Sequence, residues 1–106
     1  DNARKHASQM LVVAVSDKAK ENTPAFCTGD FNATPDAPEI ATTICQSGIL
    51  KDAYREATIQ HGALFTFPSK KTRIDFIFVK HATVLSTRTI VSSLSDHYPM
   101  VIVVEI

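Results

Sequence analysis

The sequence predicts an α+β fold, with helices in its first half and strands in its second, on three observations. Apolar residues recur at helical spacing near the start, and strand-like runs take over from Ala63 onward. The two most apolar of those runs, Ile74 to Val79 and Met100 to Val104, carry almost no polar residue. Strands that read this way lie inside a sheet covered on both faces. A chain of 106 residues, 44% hydrophobic and 21% charged, is long enough for one packed domain and lies outside the disordered and fibrous classes.

Taken in order, Asp1 and Asn2 cap a helix that puts Ala3, Ala7, Met10, Leu11 and Ala14 on its buried face and Arg4, Lys5, Ser8 and Gln9 on the other. The polar run Ser16 to Thr23 ends it. Pro24 to Thr28 then reads as a short buried strand with proline at its entry, delivering Gly29-Asp30-Phe31-Asn32. Asp36, with Glu39 three residues on and Pro38 between them, is a helix start of the capping-box type. Ala37, Ile40, Ala41, Ile44 and Cys45 form its buried stripe, and Gly48 stops it. The stretch Ile49 to His61 is mixed, with a short helix around Ala53 to Ala57. Four strands follow: Leu64 to Phe67, Ile74 to Val79, Thr83 to Val91 and Met100 to Ile106.

Eleven basic and eleven acidic side chains cancel, so the chain lacks the overall positive field of many proteins that grip long nucleic acid. Cys27 and Cys45 are too few for a disulfide framework or a zinc site and read as small core residues. No apolar run approaches the roughly 18 to 20 residues of a membrane span. His6, His61 and His81 have no metal-ligand spacing to one another and read as surface residues. Lys70, Lys71 and Arg73 form a small basic cluster, read first as a solvated loop and second as a contact for substrate phosphate.

Asp75 is the anomaly. An ionised carboxylate in a strand covered on both faces costs several kcal/mol unless it is paired and hydrogen-bonded. The nearest partner in chain order is His97, in the polar loop Ser93 to Pro99, and an acid that orients a histidine is a recurring way to make a proton donor or acceptor. Each piece alone has a bland reading. Gly-Asp-x-Asn is a common turn, Ser-Asp-His a common solvated loop, and Asp75 by itself a cap for a neighbouring backbone. Together, at the ends of predicted strands, they carry the residue types that phosphoryl chemistry requires.

These segments, "GDFNATPD" at 29 to 36, "RIDFIFV" at 73 to 79 and "SDHYPMV" at 95 to 101, resemble the endonuclease/exonuclease/phosphatase superfamily in residue and in order, and Asp52-Ala53-Tyr54 sits where such proteins often have a similar step. The resemblance implies the C-terminal half of a two-layer β-sandwich flanked by helices, the deoxyribonuclease-like four-layer fold, with residues 1–106 as the C-terminal portion of a single domain. It also implies hydrolysis of a phosphodiester or phosphomonoester by in-line water attack, with Mg2+ or Mn2+ in the completed enzyme. On that resemblance Asp30 orients or deprotonates the water and Asn32 positions the phosphate or that water. His97, held by Asp75, hydrogen-bonds the phosphoryl oxygen, and Asp96 serves the metal. The superfamily's N-terminal Asn, metal-binding Glu and second catalytic His have no matching position here, so the chain is expected to lack the N-terminal half. An uncovered sheet face then invites that missing half, a complementing chain or self-association.

A catalytically inert half-domain that pairs with another chain is the alternative reading. Among substrates, Arg73-Ile74-Asp75-Phe76 departs from the Trp-Cys-Asp-Arg type of the inositol-polyphosphate branch. The absence of tryptophan departs from the abasic endonucleases, and the neutral charge disfavours a nonspecific nuclease. Small phosphoesters and an exonuclease substrate remain open.

Overall fold

The computed structural model describes residues 2–18 and 22–106, and the Asp1 cap and part of the polar run after the first helix lie outside them. Helix α1 spans Asn2–Lys18 and strand β1 spans Ala25–Asp30. A helical stretch follows, wide π turns over Glu39–Ile44 and a tighter turn over Cys45–Ser47, which Gly48 ends in the left-handed conformation at φ 76°. Then come β2 (Lys51–Asp52), α2 (Ala53–Glu56), β3 (Ile59–Gly62), β4 (Asp75–Lys80), β5 (Thr83–Thr89) and β6 (Met100–Glu105). The strands form two three-stranded sheets, ordered β1-β4-β2 and β3-β5-β6. All pairings are antiparallel except β3 with β5.

Strand β4 is the axis of the molecule, as its composition predicts. Its alternate residues face opposite ways: Phe76 and Phe78 join Ala33, Ile40, Ile44 and Leu50 in a core beneath the helices, whereas Val79 joins Ala53 and Val84 in a second core toward the other sheet. Burial of each phenylalanine contributes about 2 to 3 kcal/mol. Strand β6 departs from the same expectation. It lies at the edge of its sheet, with Ile102 and Val104 packed inward and Val101 and Val103 about half exposed.

Three local expectations are corrected. Helix α1 buries Ser8 and packs Leu11, Val12 and Val15 on the core, while Met10 is 60% exposed. Its alanines offer little apolar surface, and the observed rotation brings in two valines and joins Arg4 Nε to Glu39 Oε2 at 3.2 Å. The capping box does not form: the Asp36 carboxylate accepts a hydrogen bond from Thr34 Oγ1 at 2.6 Å, and the helix starts at Glu39 behind Pro38 with no side-chain cap. Leu64 to Phe67 is not a strand. Leu64 is exposed, Thr66 is fully buried, and Phe67 bridges Thr72 across a tight turn in which Lys71 takes φ 51°. The parallel strand β3 instead forms just upstream, in the mixed stretch. There Gly62 is required, because a Cβ would lie 1.9 Å from Thr89 O.

Arg73 also leaves the basic cluster to which its neighbours assign it. Its guanidinium is buried and makes a two-pronged ion pair with Asp52, Nη1 to Oδ1 at 3.1 Å and Nη2 to Oδ2 at 2.8 Å. The ring of Tyr54 lies 4.3 Å beneath it, and Asp52 Oδ1 also accepts from Tyr54 N to cap α2. This clamp ties α2 and β2 to the residues leading into β4. Replacing Arg73 with Ala strands a buried carboxylate, so guanidinium unfolding should show a loss of roughly 3 to 5 kcal/mol. A loss below about 1 kcal/mol, typical of a surface pair, would contradict the clamp.

Candidate active site

Antiparallel register puts Asp30, the last residue of β1, opposite Asp75, the first of β4. Two acids far apart in sequence therefore meet at one end of one sheet. The turn after β1 is anchored from inside. Phe31 packs edge-on against Phe76 and Phe78, with ring centroids 5.7 and 5.0 Å away, and its N–H donates to Ile74 O at 2.9 Å. On either side of that anchor the polar residues face outward. Asp30 Oδ1 accepts from Asn32 N at 2.8 Å, and Asn32 takes φ 50°, a conformation asparagine tolerates well. The Gly-Asp-x-Asn segment is thus a turn in its geometry and part of a polar cluster in its placement.

His97 arrives from the loop between β5 and β6, which is closed by Ile90 N donating to Pro99 O at 2.9 Å. Its Nδ1 lies 2.7 Å from Asp75 Oδ2. An ionised carboxylate only accepts, so Nδ1 carries the proton and Nε2 is turned to the other side. There Nε2 is 3.8 Å from Asp30 Oδ2, too far for a hydrogen bond and wide enough for both atoms to address a third group. Phe67 backs the imidazole, its ring centroid 4.9 Å away. The hydrogen bond to Asp75 holds His97 above its ordinary value of 6.5 against the opposing effect of burial, with the charges of Asp75, Asp30 and Asp96 adding to it.

Asp30, Asp75 and His97 bring ligand-capable atoms within 4.8 Å of one another. Asn32 stands beside them, lining a cavity of about 530 Å³ with Thr34, Phe67 and Lys70. Asp96 lies outside that trio; its Oδ1 accepts from Ser95 Oγ at 3.4 Å. Phe67 and Thr66, both adjoining His97 or its loop, had no signal in the sequence beyond an ordinary strand pattern. His6, His61 and His81 are exposed, as read. Cys27 and Cys45 are free thiols packed against the first core, and burial raises both.

The endonuclease/exonuclease/phosphatase family model matches residues 2–97. The chain belongs to that family. Among solved structures, an endonuclease/exonuclease/phosphatase from Bacteroides vulgatus superposes with a TM-score of 0.87 at 31% identity, over 98% of this chain and 44% of the other. A mannosyl-6-phosphatase from Bacteroides thetaiotaomicron gives 0.85 at 22% identity, over 100% of this chain and 47% of that one. A third family member, also from Bacteroides thetaiotaomicron, gives 0.82 at 23% identity, over 95% and 43%. This chain therefore spans under half the length of these structures. No match was found among curated proteins.

Because folding raises the affinity of His97 for its proton, the associated stability is fully present below about pH 6.5 and fades as pH rises through the higher folded-state value. Asp75→Asn should remove the main cause. A proton NMR titration of the His97 ring is then expected to show its midpoint falling toward 6.5. An unchanged midpoint would mean that Asp75 does not set the charge of His97.

Proposed function

We propose that this chain is the C-terminal portion of a metal-dependent phosphoesterase, active when completed by the remainder of its domain. The observation that carries the reading is the joint presentation of His97 Nε2 and Asp30 Oδ2, 3.8 Å apart, at the mouth of the first sheet. A phosphoryl group needs hydrogen-bond donors or cations on its oxygens and an oriented water in line with the leaving group. Charged His97, its ring fixed by Asp75 and Phe67, donates from Nε2 to a phosphoryl oxygen. Asp30, one oxygen held by the Asn32 amide, uses the other to orient the attacking water and accept its proton. The Asn32 side chain, on the rim of the adjoining cavity, positions the phosphate.

Asp75 Oδ2 is committed to His97 and the free oxygen of Asp30 to the water, so Asp96, next in sequence to His97, is the carboxylate left to hold a cation. A carboxylate oxygen completed by water and phosphate oxygens fits Mg2+ or Mn2+ rather than a soft metal. When bound, such an ion supplies charge neutralisation at the phosphoryl oxygens. The family and the mannosyl-6-phosphatase of similar fold favour a phosphoester substrate, with the identity of its alcohol open between a small molecule and nucleic acid.

Completion of the fold is part of the proposal. Val101 and Val103 of β6 and Phe26 of β1 are 49%, 52% and 44% exposed, apolar side chains in each sheet suited to cover by the rest of the domain or by a complementing chain. The same side chains favour the second reading, an inert half-domain that serves only to pair. His97→Ala in the natural full-length protein separates them. With Mg2+ and bis(p-nitrophenyl) phosphate, turnover should fall roughly 100- to 10,000-fold while circular dichroism stays unchanged. Unchanged turnover would remove His97 from the site, and absence of turnover in the unmodified protein on any phosphoester would favour the inert module.

A further inference from the structure

We infer that Thr66 is the positioning residue that sets the Asp75–His97 pair, a role that rests on the reading of that pair as the working part of a phosphoesterase site. Thr66 is fully buried, in a segment that forms no regular strand. Its hydroxyl oxygen accepts two main-chain hydrogen bonds, from Ile74 N and from Asp75 N, each at 3.1 Å. Its carbonyl oxygen accepts a third, from Tyr98 N at 2.7 Å. Its own N–H donates to Thr72 O at 3.1 Å, which fixes it to the turn that leads into β4.

One residue thus grips the backbone of Asp75 on one side and the peptide that follows His97 on the other. The two side chains meet across 2.7 Å, a distance that a small relative shift of their backbones would break. The next residue completes the arrangement, because the Phe67 ring packs on the imidazole that Thr66 helps to place. Threonine suits the position for a stated reason. Its hydroxyl offers two acceptor lone pairs, enough for both main-chain donors, whereas an isosteric valine offers none and would leave two amides to find other partners. Serine keeps the oxygen and loses only a methyl group.

The test uses the natural full-length protein with Thr66→Val and Thr66→Ser, read in two ways. The first readout is the downfield proton resonance of His97 Nδ1–H, assigned by its loss in His97→Ala, which reports the bond to Asp75 without reference to activity. The second is kcat and KM for bis(p-nitrophenyl) phosphate with Mg2+. Thr66→Val should broaden or shift that resonance upfield and lower kcat roughly 10- to 100-fold with KM little changed. Thr66→Ser should restore both.

A Val variant with the resonance and kcat of the unmodified protein would overturn the inference, as would a fall in kcat with the resonance intact. Should the Val variant fail to fold, the Ser variant still decides, since loss of the resonance there would assign the role to the methyl group and not the hydroxyl. Loss of the resonance in Thr66→Val with undiminished turnover would uphold the positioning role and instead defeat the assignment of His97 to the chemistry.

Discussion

The hydrogen bond between His97 Nδ1 and Asp75 Oδ2 is the constraint around which this end of the molecule is built. Asp75 opens a strand whose next residues are covered on both faces, by helices over Phe76 and Phe78 and by the second sheet over Val79. A carboxylate at that mouth is tolerated because the His97 Nδ1–H is hydrogen-bonded to it, and the match draws in the loop between β5 and β6. The same bond fixes which imidazole nitrogen faces outward and raises the ring's affinity for its proton above the ordinary value. On the proposed function, stability and chemistry depend on the same pair of atoms.

A second carboxylate is handled by the same rule a short distance away. Asp52 is buried and takes both prongs of Arg73, and the clamp secures the approach to β4. Arg73 and Asp75, two positions apart, therefore send their charges to different partners, one to hold α2 and β2 and the other to hold His97. Between them lies Ile74, whose carbonyl receives the Phe31 amide and so pins the Asp30 turn to the same short segment. Residues 73–75 thus connect the ion-pair clamp, the acid turn and the histidine loop.

The parts of this arrangement that were legible in the sequence are those with a strong local cause. Continuous apolar character marked β4, and an acid within it required a partner, which pointed to His97. Family resemblance then joined Asp30 and Asn32 to the pair, and the antiparallel register of β1 and β4 supplies the physical reason they are adjacent. What could not be read depended on competition between partners. Asp36 looks like a cap until Thr34 takes its carboxylate, and Arg73 looks like a surface cation until Asp52 is folded beneath it. Alternation alone makes Leu64 to Phe67 a strand, yet the hydroxyl of Thr66 is needed by the amides of Ile74 and Asp75, and the parallel strand forms at Ile59–Gly62 instead. An apolar run is equally silent about whether its second face meets this chain or another, which is why β6 reads as central and lies at an edge.

The central claim is that Asp75 acts through His97 and has no separate part in the chemistry. A double-mutant cycle on the turnover of the natural full-length protein, with Asp75→Ala, His97→Ala and both together, tests it most directly. If the two residues work as one unit, the double variant turns over as slowly as His97→Ala alone and no slower. Losses that multiply, each residue lowering the rate independently of the other, would contradict the account and give Asp75 a role of its own.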